Sequence, residues 1–142
     1  YGTLLTQIED YPAAVAQLEK AIELDPDYSN AYYNLGAAYI NMAVDVNDQV
    51  RSLDEALSAE RGDLSRDQIS EREATINALV DERREIFDSA IAPLETAKSL
   101  FESAGEDATG VCMALYQSYV QTDELVKARS VEECAGYSDT GE

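Results

Sequence analysis

The sequence predicts an all-α fold, and three observations carry that prediction. Helix formers such as Ala, Leu, Glu and Gln are abundant, while glycines and prolines are sparse, at 7 and 3 of 142 residues. No alternating run of Val, Ile and Thr suggests a strand. Apolar residues recur at helical spacing between clear turn signals at Asp25-Pro26-Asp27, Arg61-Gly62-Asp63 and Ala104-Gly105-Glu106.

The first periodic stretch is Tyr11 to Pro26, with Ala14, Leu18 and Ala21 on one face. It ends at Asp25-Pro26, because Pro disfavours the α conformation in the residue before it. The next helix carries Tyr32, Leu35, Gly36 and Tyr39. Small residues at Ala14, Ala21 and Gly36 let antiparallel helices approach closely, and large ones fill the space between. Further on, Phe87, Ala90, Leu94 and Ala97 form another such face, and Cys112, Leu115, Tyr119, Leu125, Ala128 and Ala135 a third.

Together these residues closely resemble the tetratricopeptide repeat (TPR). In that family a helix carrying aromatic-x-x-Leu-Gly-x-x-Tyr is followed by one carrying Ala, a large apolar residue, Ala and then Pro. Tyr32, Leu35, Gly36 and Tyr39 match the first helix; Ala14, Leu18, Ala21 and Pro26 match the second helix of the preceding repeat. The resemblance implies a TPR α-solenoid and covers nearly the whole chain. Its divisions would be a partial first repeat at 1–28, a second at 29–104 and a divergent third at 105–142. In the third, Cys112 replaces the aromatic, Tyr116 replaces the Gly, and Glu132 stands where a large apolar residue is usual. Gly2 and Leu5 match positions of a first helix, so the expectation is a piece of a longer protein that begins inside a repeat.

The second repeat is too long. Ala14 and Ala90 lie 76 positions apart (14 to 90), where one period is about 34. The extra segment, about 44–85, reads as helix, turn, helix. Tyr39, Ala43, Val46, Val50, Leu53 and Leu57 are spaced 4, 3, 4, 3, 4, and Ile69, Ile76, Leu79, Ile86 and Ala90 keep a similar period. So narrow a seam is the pattern of two paired helices. Ser65 with Gln68 reads as a capping box opening the second helix. The expectation is an antiparallel helical arm overhanging the solenoid by roughly 25 Å. An elongated repeat of this kind, with Ile91 to Ala97 after the arm, resembles a subgroup of bacterial TPR proteins.

Charge and composition narrow the function. The formal net charge is −19, from 29 acidic and 10 basic residues, which argues against a nucleic-acid partner. With no His in the chain, His-based acid–base chemistry and the common zinc sites are removed. Asp45 to Val50 starts like a calcium loop but lacks the Gly and lies within helical periodicity. No constellation supports an enzyme, and no cofactor or metal is implied. No apolar run is long enough for a membrane span, and the N-terminus has no signal-peptide pattern; the cytoplasm and the periplasm of a bacterium both remain open. Only three basic residues are Lys, a surface bias that fits a salt-rich cytoplasm as well as an ordinary acidic protein. Cys112 and Cys134 are too few for a disulfide-stapled domain. In the repeat's register they fall at neighbouring ends of one antiparallel hairpin, so a bridge is geometrically possible; because that register turns Cys112 inward and Cys134 outward, the expectation is two separate thiols.

The family resemblance implies a scaffold that holds a peptide or helix in a concave groove lined by the first helices. Its groove positions fall on Thr3, Thr6 and Gln7, then Asn30, Tyr33, Asn34, Ala37, Ile40 and Asn41, then Met113, Gln117, Val120 and Gln121. None is charged, so a Lys/Arg clamp for a terminal carboxylate is absent. The second reading is an assembly segment that pairs, as a homo-oligomer or with other domains, through the arm or the open solenoid ends.

Overall fold

The computed structural model describes residues 10–137, all of whose regular structure is helical. Helix α1 (Tyr11–Leu24) starts where the Asp10 carboxylate accepts from the Ala13 N–H, with Pro12 in the first turn. There a missing N–H costs nothing, because those donors have no partner inside the helix. The chain turns through Asp25–Asp27, and the Tyr32 hydroxyl donates to the Pro26 carbonyl at 2.9 Å, locking the turn onto the next helix.

Helix α2 (Ser29–Glu60) and helix α3 (Arg66–Ser103) dominate the molecule. At about 1.5 Å per residue they are roughly 48 and 57 Å long. A short 3₁₀ turn, Arg61–Asp63, joins them. The Ser65 hydroxyl accepts from the Gln68 N–H while the Gln68 amide oxygen accepts from the Ser65 N–H, so the expected capping box is present. Side-chain pairs ladder the helices antiparallel: Arg61 with Glu73, Arg72 with Glu60, and Arg83 with Asn47. The arm seam buries Val46, Leu57 and Ile76 and half-buries Val50, Leu53, Ile69, Leu79 and Ile86. Pro93 lies inside α3 without ending it.

Helix α4 (Thr109–Gln121) packs antiparallel on α3, and the short α5 (Leu125–Ser130) packs on α4. Two elements stitch α3 to α4. The Tyr119 hydroxyl donates to the Glu95 carboxylate, and Arg84, at the base of the arm, reaches the Thr122 carbonyl and the Asp123 carboxylate at 3.2 Å each. A main core joins Ile40, Phe87, Ala90, Leu94, Val111, Leu115 and Ala128; a smaller one joins Leu18 of α1 to Ala31 and Leu35 of α2.

Gly36 sets the closeness of α2 and α3. A methyl group there would stand 2.4 Å from Leu94 Cγ, a side chain with no exposed surface. Gly110 plays a similar part at the start of α4, where a methyl would stand 2.7 Å from the Tyr33 hydroxyl.

Two expectations for the C-terminal part are corrected. Leu125 is not a core residue but 56 % exposed, and Val131, at 4 %, fills the apolar role instead. Cys112 and Cys134 are not separate thiols: they form a disulfide, with Cα atoms 5.8 Å apart. The second correction follows from how the chain winds after Ser130. The register assumes a regular helix, but α5 ends at Ser130 and the chain tightens into turns. The Val131 and Glu132 N–H groups donate to the carbonyls three residues back, on Ala128 and Arg129. At about three residues per turn, Ala128, Val131 and Cys134 come onto one inward face, whereas α-helical winding would have carried Cys134 outward.

Candidate binding groove

The groove follows from the helix order. Both α2 and α4 run antiparallel to α3, so they stand side by side, parallel to each other, with α3 behind. Their facing sides do not close fully. Tyr33 packs edge-on to Phe101 of α3, ring centroids 6.2 Å apart, and lies over Gly110. That ring props the α2 side, and a cavity of about 510 Å³ opens between the two helices.

The structure brings eight sequence-predicted residues together around this cavity: Tyr33, Ala37, Ile40 and Asn41 from α2, and Met113, Gln117, Val120 and Gln121 from α4. Asn30 and Asn34 lie on α2 but do not line it; Asn30 is exposed and Asn34 half-buried. Thr3, Thr6 and Gln7 lie outside the described residues. Three lining residues were missed: Ala114, Tyr116 and Tyr137. Tyr116 carried a signal, since a large ring at a position where the repeat has Gly must project somewhere. Tyr137 carried none. It arrives through the turn after Gly136, whose φ of +80° is a conformation suited to glycine. Its ring then meets Tyr116 edge-on at 5.0 Å between centroids.

None of the lining residues is charged, although the chain carries −19 overall. Amides at Asn41, Gln117 and Gln121 offer both donors and acceptors. Met113 (43 % exposed), Val120 (36 %) and Tyr137 (45 %) present apolar surface to solvent. This combination can bury an apolar side chain and pair a peptide backbone. It holds no nucleophile–base pair. The run Asp45 to Val50 lies in the middle of α2, and among the described residues no cluster of three or more acidic or Cys side chains stands ready to hold a metal ion. Among them, too, no helix is long and apolar enough to cross a membrane.

Elsewhere, the strongest electrostatic perturbation is at Tyr119. Burial, then the hydrogen bond to the Glu95 carboxylate, pushes its phenol well above the ordinary range. Tyr39 is also raised, by burial first and by Glu19 second. At the arm, the hydrogen bond from Arg72 lowers the Glu60 carboxyl.

Compared with known families, residues 2–42 match the model of the TPR repeat. The match therefore takes in α1 and the core half of α2, and stops where α2 runs on into the arm. No curated protein matches the chain.

Proposed function

We propose, proceeding from the chain's being a tetratricopeptide repeat protein, that it is a non-enzymatic scaffold that holds a peptide or helix of a protein partner in the groove between α2 and α4. TPR repeats generally mediate protein–protein interaction. The observation that carries the finer reading is the uncharged, half-apolar cavity in a strongly acidic chain. Keeping charge out of one concave strip, while exposing Met113, Val120 and Tyr137 there, suits burial of an uncharged segment. In this reading the chain is divided as the repeat pattern suggests, with the arm an insertion into the second repeat that leaves the groove open.

The test uses peptides selected from a random displayed library on the folded protein. A selected peptide is titrated against isotope-labelled protein while the methyl signals of Ala37, Ile40, Met113 and Val120 are followed. These signals should move, and Met113→Glu should weaken binding about tenfold or more, the cost of placing a charge in a desolvated contact. Shifts confined to the arm would overturn the groove reading and favour the assembly reading, for which the half-buried arm seam is the supporting observation.

A further inference from the structure

The Cys112–Cys134 disulfide stands behind one wall of the groove. Cys112 lies on α4 with no exposed surface, one residue before Met113 of the lining. Cys134 is partly accessible and stands three residues before Tyr137. Between bridge and wall the chain makes one tight turn, in which the Tyr137 N–H donates to the Glu132 carbonyl at 2.8 Å. Otherwise the wall is held lightly. Helix α5 has six residues, too few to be stable alone. Its Leu125 and Val126 are exposed, so they add no anchoring burial, and only the small side chains of Ala128, Val131 and Ala135 are buried. Glu132 and Glu133 place two of the acidic residues behind the net charge of −19 next to each other in this segment.

We propose that the redox state of Cys112–Cys134 regulates the groove: the disulfide holds Tyr137 against Tyr116 as its wall, and reduction releases that wall. The proposal rests on the groove reading above for its consequence, but not for its test. The reductant is a dithiol, small or protein-borne. Its thiolate attacks the sulfur of Cys134, the member of the pair that is not fully buried, forming a mixed disulfide, while the bond to Cys112 breaks and Cys112 leaves as a thiolate that takes up a proton. The second thiol of the reductant then displaces Cys134, which is protonated in turn. The protein disulfide gains two electrons and two protons, and the dithiol becomes a cyclic or protein disulfide. Without the bridge, the segment from Val131 to Tyr137 is free to open locally. Tyr137 then leaves Tyr116, and the groove becomes wider and shallower.

The chain contains no Trp, so Tyr137→Trp supplies a single fluorescent reporter on the wall itself. The protein is examined without ligand, before and after dithiothreitol, with the release of two thiols confirmed colorimetrically. Reduction should shift the Trp emission to the red and raise its quenching by acrylamide severalfold, while far-UV circular dichroism holds. Adding Cys134→Ser in the same background should reproduce the reduced spectrum without reductant. Hydrogen exchange of the unmodified protein is the second measurement: amides of residues 135–137 should lose protection on reduction, and those of α3 should keep theirs. Unchanged quenching and unchanged exchange after full reduction would overturn the proposal, because packing alone would then hold the wall. Failure of selected peptides to occupy the groove, with the wall still released, would instead overturn the groove reading.

Discussion

Gly36→Ala is the sharpest probe of how α2 meets α3. In an isolated helix the change is stabilising, because Gly is about 1 kcal/mol worse than Ala in a helix interior. Here the added methyl would stand 2.4 Å from Leu94 Cγ and 2.5 Å from Cδ2, against the ordinary contact range beyond 3.4 Å. Leu94 cannot yield by swinging away. It is fully buried, between Ala90 and Ala97 on the α3 face that meets the core, and the atom struck is the branch point of its side chain. Such overpacking costs about 1–3 kcal/mol. After the propensity gain, the net loss should be up to about 2 kcal/mol, or several degrees in Tm for a domain of this size. Two companions make the reasoning refutable. Gly62 has open space around it and no positive φ, so Gly62→Ala should be neutral or stabilising by up to about 1 kcal/mol. Leu94→Ala alone should cost about 2–5 kcal/mol, but in that background Gly36→Ala should cost nothing further, since the atoms it strikes are gone. The assay is urea unfolding followed by circular dichroism at 222 nm. If Gly36→Ala is as stable as the parent, or its cost persists beside Leu94→Ala, the close approach at Gly36 is not what holds these helices in place.

Alkaline titration should expose Tyr119: its folded phenol titrates above its ordinary value of 10.0, so its contribution is complete below that pH and is lost as pH rises from there through the folded value. Tyr119→Phe should cost about 1 kcal/mol at pH 7, and unfolding curves of the variant should fall less steeply than the parent's above pH 10. Melting temperature should rise from low salt to molar KCl, because a charge of −19 is self-repulsive and the screening length falls from about 10 Å at 0.1 M to 3 Å at 1 M; a flat or falling curve would reject this. Ser65→Ala should cost about 1 kcal/mol by removing the capping box, read as faster hydrogen exchange confined to residues 64–72, and general loss of protection would show that the arm unfolds with the core.

What could be read from the residues alone is what depends on near neighbours in the chain. The arm is the clearest case: Val46 to Leu57 repeat at 4 and 3, Ile69, Ile76, Leu79 and Ile86 at 7, 3 and 7, and Ser65 caps Gln68 three residues away. A helical seam and a cap need only local geometry, so both were legible. The core residues of the repeat pattern, Ala14, Leu18, Leu35, Phe87, Ala90, Leu94 and Ala97, are buried for the same reason: a 3.6-residue period puts them on one face. Eight of the groove residues could be placed because they too sit at fixed offsets along α2 and α4.

Tertiary structure decided what depends on winding and on distance. Whether Cys134 meets Cys112 turns on the difference between continued helical winding and the tighter turns that follow Ser130, where the Val131 and Glu132 N–H groups bond three residues back. No short-range pattern in the sequence resolves that difference. Tyr137 reaches Tyr116 only through the turn at Gly136. Asn30 and Asn34 share a helix with Tyr33 and still miss the cavity, because its outline is drawn by α4 and the C-terminal turn rather than by α2 alone. Periodicity along one helix determines which side faces inward; where two helices stop short of closing depends on every residue packed between them, here Gly36, Leu94, Gly110 and Phe101, from three separate helices.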